Sequence, residues 1–179
     1  MDPIKYADEA KVVAAHLMTP DLANPAGNVH GGHVVRLADN LAYACASRFA
    51  GCLTTTAAVD RVDFLQPVYV GELLNMVARV EYAGTTSMEL SVEIHAENLT
   101  TGESRHTNSC HLTLVAIKDG KPAPVPRLVP RSRDDKVRYL RALERRSMGR
   151  GYRDQRIERA QHYAELDDAA LDALIAEDS

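Results

Sequence analysis

The chain has 179 residues, of which 45% are hydrophobic and 26% charged, so it reads as one globular domain with a short appendage. Its net charge of −4 argues against a whole-chain nucleic-acid binder, and no apolar run reaches the roughly 18 residues that span a bilayer. Three widely spaced cysteines, Cys45, Cys52 and Cys110, form neither a disulfide framework nor a CxxC zinc site, and with no apolar leader near Met1 the expected setting is the reducing cytoplasm.

Taken in chain order, Lys11–Met18 is a short candidate strand. Residues 32–50 then run without Pro or Gly after Gly32 and are rich in Ala, Leu and Val, which predicts a helix. Arg36, Asn40, Tyr43 and Ser47 fall in one polar stripe, while apolar residues cover most of the circumference, so the helix is expected to be largely buried, with Gly51 as its stop. Leu53–Leu65 is β-branched and alternating, and Pro67–Glu72 breaks it. Leu73–Ala83 leads through Gly84-Thr85-Thr86 into Ser87–Asn98. There Met88, Leu90, Val92, Ile94 and Ala96 alternate with Glu89, Ser91, Glu93, His95 and Glu97, the pattern of a half-buried strand. Arg105–Lys118 follows. One strand, one buried helix and four consecutive antiparallel strands make an α+β fold, without the alternating rhythm of a parallel α/β sheet.

Four prolines (Pro122, Pro124, Pro126 and Pro130) close this body at about residue 130, which sets a domain at 1–130 and a charged extension at 131–179. From Arg131 to Arg156 ten basic residues face four acids, a net of +6; from Ile157 to Ser179 the net is −6. Two helices are expected there, about 134–147 and 153–176, broken near Gly149 and Gly151. With no wide apolar face they belong on the surface or in a partly disordered tail.

The chemistry concentrates before and within the long helix. Gly31-Gly32 at its entrance either makes a tight turn or lets an oxyanion or polarised carbonyl approach the free N–H groups of the first turn. Asp39 is the only acid of the helix and lies off the polar stripe, near Val35, Ala46 and Ala50. It is either ion-paired, with Arg36 for example, or held to activate water or attack a carbonyl. His30 reads as a general base or as a loop histidine at the helix start. His106 and His111, five residues apart, are expected on opposite strand faces.

The series Asn24-x-x-Gly27-Asn28-x-His30-Gly31-Gly32, then Leu37-x-Asp39, resembles the signature of hotdog-fold acyl-CoA thioesterases, in their single-hotdog bacterial form. The likeness continues through Asp63-Phe64-Leu65-Gln66-Pro67, Val70-Gly71-Glu72, Thr86–Leu90 and Pro124–Pro130, and covers about residues 10–145. It implies the hotdog fold, a long helix wrapped by a curved antiparallel sheet. It also implies hydrolysis of fatty acyl-CoA to free acid and CoA, with no cofactor beyond the CoA carried by the substrate. Asp39 would be base or nucleophile, Gly31 and Gly32 would polarise the thioester carbonyl, and Asn24 would orient water or the carbonyl oxygen. Gly84, Thr85, Thr86, Ser87, Arg127 and Arg131 are then candidates for holding CoA, since hydroxyls and guanidinium forks suit its amides and phosphates. Subunits would pair through their sheets, as dimers or hexamers, with Asp39 and Asn24 of one site coming from different chains. A non-catalytic acyl-CoA-binding regulator is the alternative.

Overall fold

A computed structural model describes residues 3–177. It contains β1 (Ile4–Tyr6), β2 (Lys11–Leu17), α1 (Gly31–Ala50), β3 (Leu53–Phe64), β4 (Leu73–Ala83), β5 (Ser87–Glu97), β6 (Ser104–Lys118), β7 (Lys121–Pro122), β8 (Arg127–Val129), α2 (Arg133–Glu165) and α3 (Asp168–Glu177), with a 3-10 turn at Pro20–Leu22. The main sheet has the order β2-β4-β5-β6-β3, with the short β7 added on β6, and is antiparallel throughout. Only β4-β5-β6 is the expected run of consecutive hairpins; β3 crosses over to pair with β6 instead of with β4. Strands β2 and β3 are its two edges.

Helix α1 starts because the His30 side chain accepts a hydrogen bond from the Gly32 N–H, and it stops where Gly51 turns left-handed at φ 73°. Val34, Ala38, Leu41, Ala42, Cys45, Ala46 and Phe49 of α1 are buried. They face an apolar sheet surface built from Leu74, Met76, Ala78 and Val80 of β4, the even-numbered residues from Met88 to Ala96 of β5, and Cys110, Leu112, Leu114 and Ala116 of β6. Ala42 and Ala46 are wholly inaccessible, so a core without Trp closes by bringing the helix backbone near the sheet. Each fully buried Leu or Met there contributes about 1.5–3 kcal/mol.

The outer face of β5 departs from simple alternation. Glu89 and Ser91 are buried although they lie opposite the core face. The Tyr139 ring of α2 stacks on Tyr82 at 5.4 Å, and Tyr82 is registered with Glu89, so the first turns of α2 cover this end of the sheet. Accordingly Met1–Ala142 forms one compact unit and Leu143–Ser179 a second. Between the last prolines the segment is extended: β8 pairs in parallel with β1.

In the second unit the expected break at Gly149 and Gly151 does not occur; α2 runs through both glycines to Glu165. Glycine costs a helix interior about 1 kcal/mol relative to alanine, too little to stop a long helix. The interruption falls at 166–167 instead, where the Asp167 carboxylate accepts from the Ala170 N–H and starts α3.

Candidate active site

The loop before α1 is wired by its own side chains. Asn24 Oδ1 accepts from the N–H groups of Ala26 (2.9 Å) and Asn28 (3.2 Å). The backbone adds Asn24 N–H to Asn28 O at 2.6 Å and Val29 N–H to Val68 O at 2.8 Å. Asn24 therefore keeps only its amide N–H groups for a ligand. The two glycines differ. The Gly32 N–H is engaged by His30 Nδ1 at 3.0 Å, whereas the Gly31 N–H has no partner among the described residues. A side chain on Gly31 would lie 2.8 Å from the Phe64 ring, so glycine is what permits that ring to close over the helix start.

Asn24, Asn28, Gly31, Val34, Phe64–Val68 and Asn108 line an open cleft of about 340 Å³ at this end of α1. Its far wall is braced from behind. Glu72 and Arg105 form a two-pronged ion pair at 2.6 and 2.9 Å. Arg105 also donates to Pro67 O and lies over the Tyr69 ring, while Glu72 accepts from the Tyr69 N–H. Burial pushes the Glu72 carboxyl up, but the Arg105 and Tyr69 hydrogen bonds outweigh it and leave it below its ordinary value.

Asp39 does not line that cleft. It sits two turns further along α1, half-buried, and no ion pair with Arg36 forms. Its Oδ1 accepts a 2.7 Å hydrogen bond from the Thr56 hydroxyl of edge strand β3. Thr56 carries no mark in the sequence, being one of three consecutive threonines. One chain thus gathers Asn24 and Gly31 in one place and Asp39 with Thr56 in another.

These features, a helix buried in an antiparallel sheet with a free N–H and a lone carboxylate on it, meet their relatives here. Residues 26–103 match the thioesterase superfamily model. The chain is 40% identical over 150 residues to protein VdlD of Helicobacter pylori, covering 83% of this chain and 86% of that one. It is 34% identical to the uncharacterized acyl-CoA thioester hydrolase YkhA of Bacillus subtilis, over 79% of this chain and 83% of that one. The chain belongs to the acyl-CoA thioester hydrolases of the thioesterase superfamily. Among solved structures, the Staphylococcus aureus acyl-CoA hydrolase bound to butyryl-CoA, CoA and CoA disulfide superposes with a TM-score of 0.82 at 32% identity, covering 91% of this chain and 100% of that one. The same enzyme has been solved as separate alanine variants of an asparagine, an aspartate and a threonine. A hexameric acyl-CoA thioesterase matches with a TM-score of 0.81 at 33% identity, over 85% and 97% of the two chains.

The remaining candidates of this thioesterase fall as follows. The Gly84–Ser87 turn is closed by Gly84 N–H to Ser87 O, and it is tied to its surroundings through Thr85 O to Val125 N–H and Thr86 O to Ala116 N–H. Arg127 is exposed, its N–H donating to Pro3 O. The Arg131 guanidinium is held by Asp8, lies 3.5 Å from Glu9 and covers the Tyr6 ring. Burial pushes the Cys45 and Cys110 thiols up to about 11, so neither is a ready nucleophile. His106 stacks on His95 at 4.9 Å and contacts the Ser109 hydroxyl. A bulge between Ile94 and His95 shifts the register, so counting alternate residues misplaces His106. No group of metal-ligating side chains occurs among the described residues, and no helix of the described residues is long and apolar enough to cross a membrane.

Proposed function

We propose that the chain hydrolyses fatty acyl-CoA thioesters with Asp39 as the reacting carboxylate and Gly31 as the carbonyl-polarising N–H. The observation that carries this reading is the Asp39–Thr56 hydrogen bond. It holds an unpaired carboxylate, the only acid of α1, at a fixed place beside an edge strand. The spacing of Asn24, Asp39 and Thr56, fifteen and then seventeen residues, equals that of the asparagine, aspartate and threonine replaced in the Staphylococcus aureus enzyme, which supports a common role.

The Gly31 N–H, at the positive end of α1, stabilises the oxyanion that forms on the thioester carbonyl. The Asn24 amide N–H groups donate to the same oxygen, because its side-chain carbonyl is already used twice within the loop. Asp39 takes a proton from the attacking water, or attacks the carbonyl to form a mixed anhydride that water then opens. Either way the C–S bond breaks, CoA leaves as a thiolate and takes up a proton, and the acid is released. No cofactor is required. Arg127 and the Gly84–Ser87 turn meet the CoA portion, and Arg131 joins them only by leaving Asp8.

The separation of Asn24 and Gly31 from Asp39 within one chain supports a site completed by a second copy. Edge strand β3, with Leu53, Val59 and Phe64 exposed, is the surface on which that copy pairs. A dimer built this way assembles further into a hexamer, and acts in the cytosol.

Asp39→Asn keeps the shape and removes the base. Hydrolysis of butyryl- to palmitoyl-CoA, followed by free-thiol release, is expected to fall by about 10²–10⁴-fold with the oligomer intact. Retention of most turnover would remove Asp39 from the mechanism. Thiol release from none of the esters by the unaltered chain would favour an acyl-CoA-binding regulator. After a single turnover in H₂¹⁸O, label in Asp39 itself marks the anhydride route opened by water at the Asp39 carbonyl, whereas general-base hydrolysis, like opening at the acyl carbonyl, places the label in the released acid.

A further inference from the structure

One residue of the cleft lining, Asn108, carries a buried polar atom that the hydrolysis above does not use. Asn108 lies on the core-facing side of β6, registered with Phe64 of β3 and Ile94 of β5. It is 1% exposed and lines the cleft together with Val29, Val34, Phe64 and Pro67. Its Nδ2 donates a long 3.4 Å hydrogen bond to the Asp63 carbonyl. The opposite orientation of the amide would set two carbonyl oxygens against each other, so the side-chain oxygen is the atom left over. That Oδ1 has no hydrogen-bond partner among the described residues.

A buried amide oxygen without a partner is unfavourable, and the fold gives no reason for it. The next positions on the same face of β6, Cys110, Leu112, Leu114 and Ala116, are all packed core residues, and an apolar side chain would serve the core equally well at 108. The cleft lining includes no Lys or Arg, so it offers nothing to the CoA phosphates. The thioester and acyl group are what it can enclose. An unsubstituted chain packed against Asn108 would leave Oδ1 unpaired, whereas a hydroxyl on the chain would supply the hydrogen bond that it lacks.

We infer that Asn108 is a specificity residue whose Oδ1 accepts a hydrogen bond from a hydroxyl on the acyl chain, making hydroxyacyl-CoA esters the preferred substrate class. This rests on the thioesterase reading of the same site. No group is transferred to Asn108; it selects the chain, and the hydrolytic step is unchanged.

The test compares kcat/KM for butyryl-CoA with that for 2-hydroxybutyryl- and 3-hydroxybutyryl-CoA. The unaltered enzyme is expected to favour one hydroxy ester by about 10-fold or more. N108V, close in volume and without the acceptor, is expected to bring that ratio to about one. The ratio in the unaltered enzyme is decisive even where N108V does not fold. Equal rates, or a preference for butyryl-CoA, overturn the inference. So does an N108V enzyme that loses the same factor on all three esters, because Oδ1 would then serve the pantetheine amide or the attacking water. Absence of hydrolysis with every ester removes the thioesterase reading itself, and this inference with it.

Discussion

The wall of the cleft and the carboxylate of α1 are held in opposite ways. The wall, Gln66–Tyr69, is fixed by a partly buried ion pair that reaches both a carbonyl and an N–H of the segment. The loop facing it is closed by Asn24 and by the Val29–Val68 bond. Asp39 has one hydrogen bond, from Thr56, and no cation beside it among the described residues. The difference follows from what each must do. Donors that stabilise a developing charge work best when they need no rearrangement, so their scaffold is rigid. A carboxylate that must take a proton or attack a carbonyl would be hindered by an arginine, which stabilises its charged form. The protein has an arginine–carboxylate pair of that kind, and places it behind the wall rather than at Asp39.

The sharpest way to break this comparison is at the brace. Arg105→Ala leaves Glu72 buried beside no cation and is expected to destabilise the fold by about 3–5 kcal/mol, measured by urea unfolding. Glu72→Gln tests the same brace through pH. The Glu72 carboxyl titrates below its ordinary 4.5, so its contribution to stability is complete above that value. The contribution is lost as pH falls through the lower, folded value. Unfolding of Glu72→Gln should therefore depend less steeply on pH in the acid range, below about 4.5. An unchanged acid slope would mean that the brace carries little of the wall's stability.

At the carboxylate the expected effect is smaller and kinetic. Thr56→Val removes the one hydrogen bond to a charged acceptor, worth about 1.5–3 kcal/mol, or about 10–150-fold in kcat. KM should change little, and Thr56→Ser should recover most of the loss. A Thr56→Val enzyme with unaltered kcat would show that Asp39 is positioned by its own helix alone.

Much of this arrangement is legible in the sequence, and what is not has a physical reason. Helix α1 and strands β4 and β5 follow from runs without breakers and from period-two alternation, because both patterns report a local periodicity that tertiary packing then uses. Asp39 stands out because it is an acid off the polar stripe. Thr56 does not stand out, because a hydroxyl among three threonines acquires a role only when β3 is laid beside α1. Likewise Glu72 is visible in its motif, but Arg105, 33 residues later, is joined to it only by the sheet. Gly149 and Gly151 misplace the helix break because a helix with favourable neighbours on both sides absorbs their modest cost. His106 is misread for a different reason, since a bulge is a property of two strands in register and not of one.

The smallest effect concerns the residue that joins the two regions. His30 stands at the head of α1, and two roles fit its place in the sequence: a base for water, or a support for the helix start. Its Nδ1 accepts the Gly32 N–H, which makes it a cap and leaves the Gly31 N–H as the free donor. His30→Ala removes that acceptor and should cost about 1 kcal/mol, lowering Tm by about 2–4 °C for a chain of this size. Asparagine caps helices through its side-chain oxygen but cannot serve as a base at neutral pH. His30→Asn should accordingly restore Tm and still hydrolyse acyl-CoA. If it restores Tm yet abolishes thiol release, the imidazole takes part in the proton transfer, and the division between a rigid donor loop and a separate reacting carboxylate fails at the point where they meet.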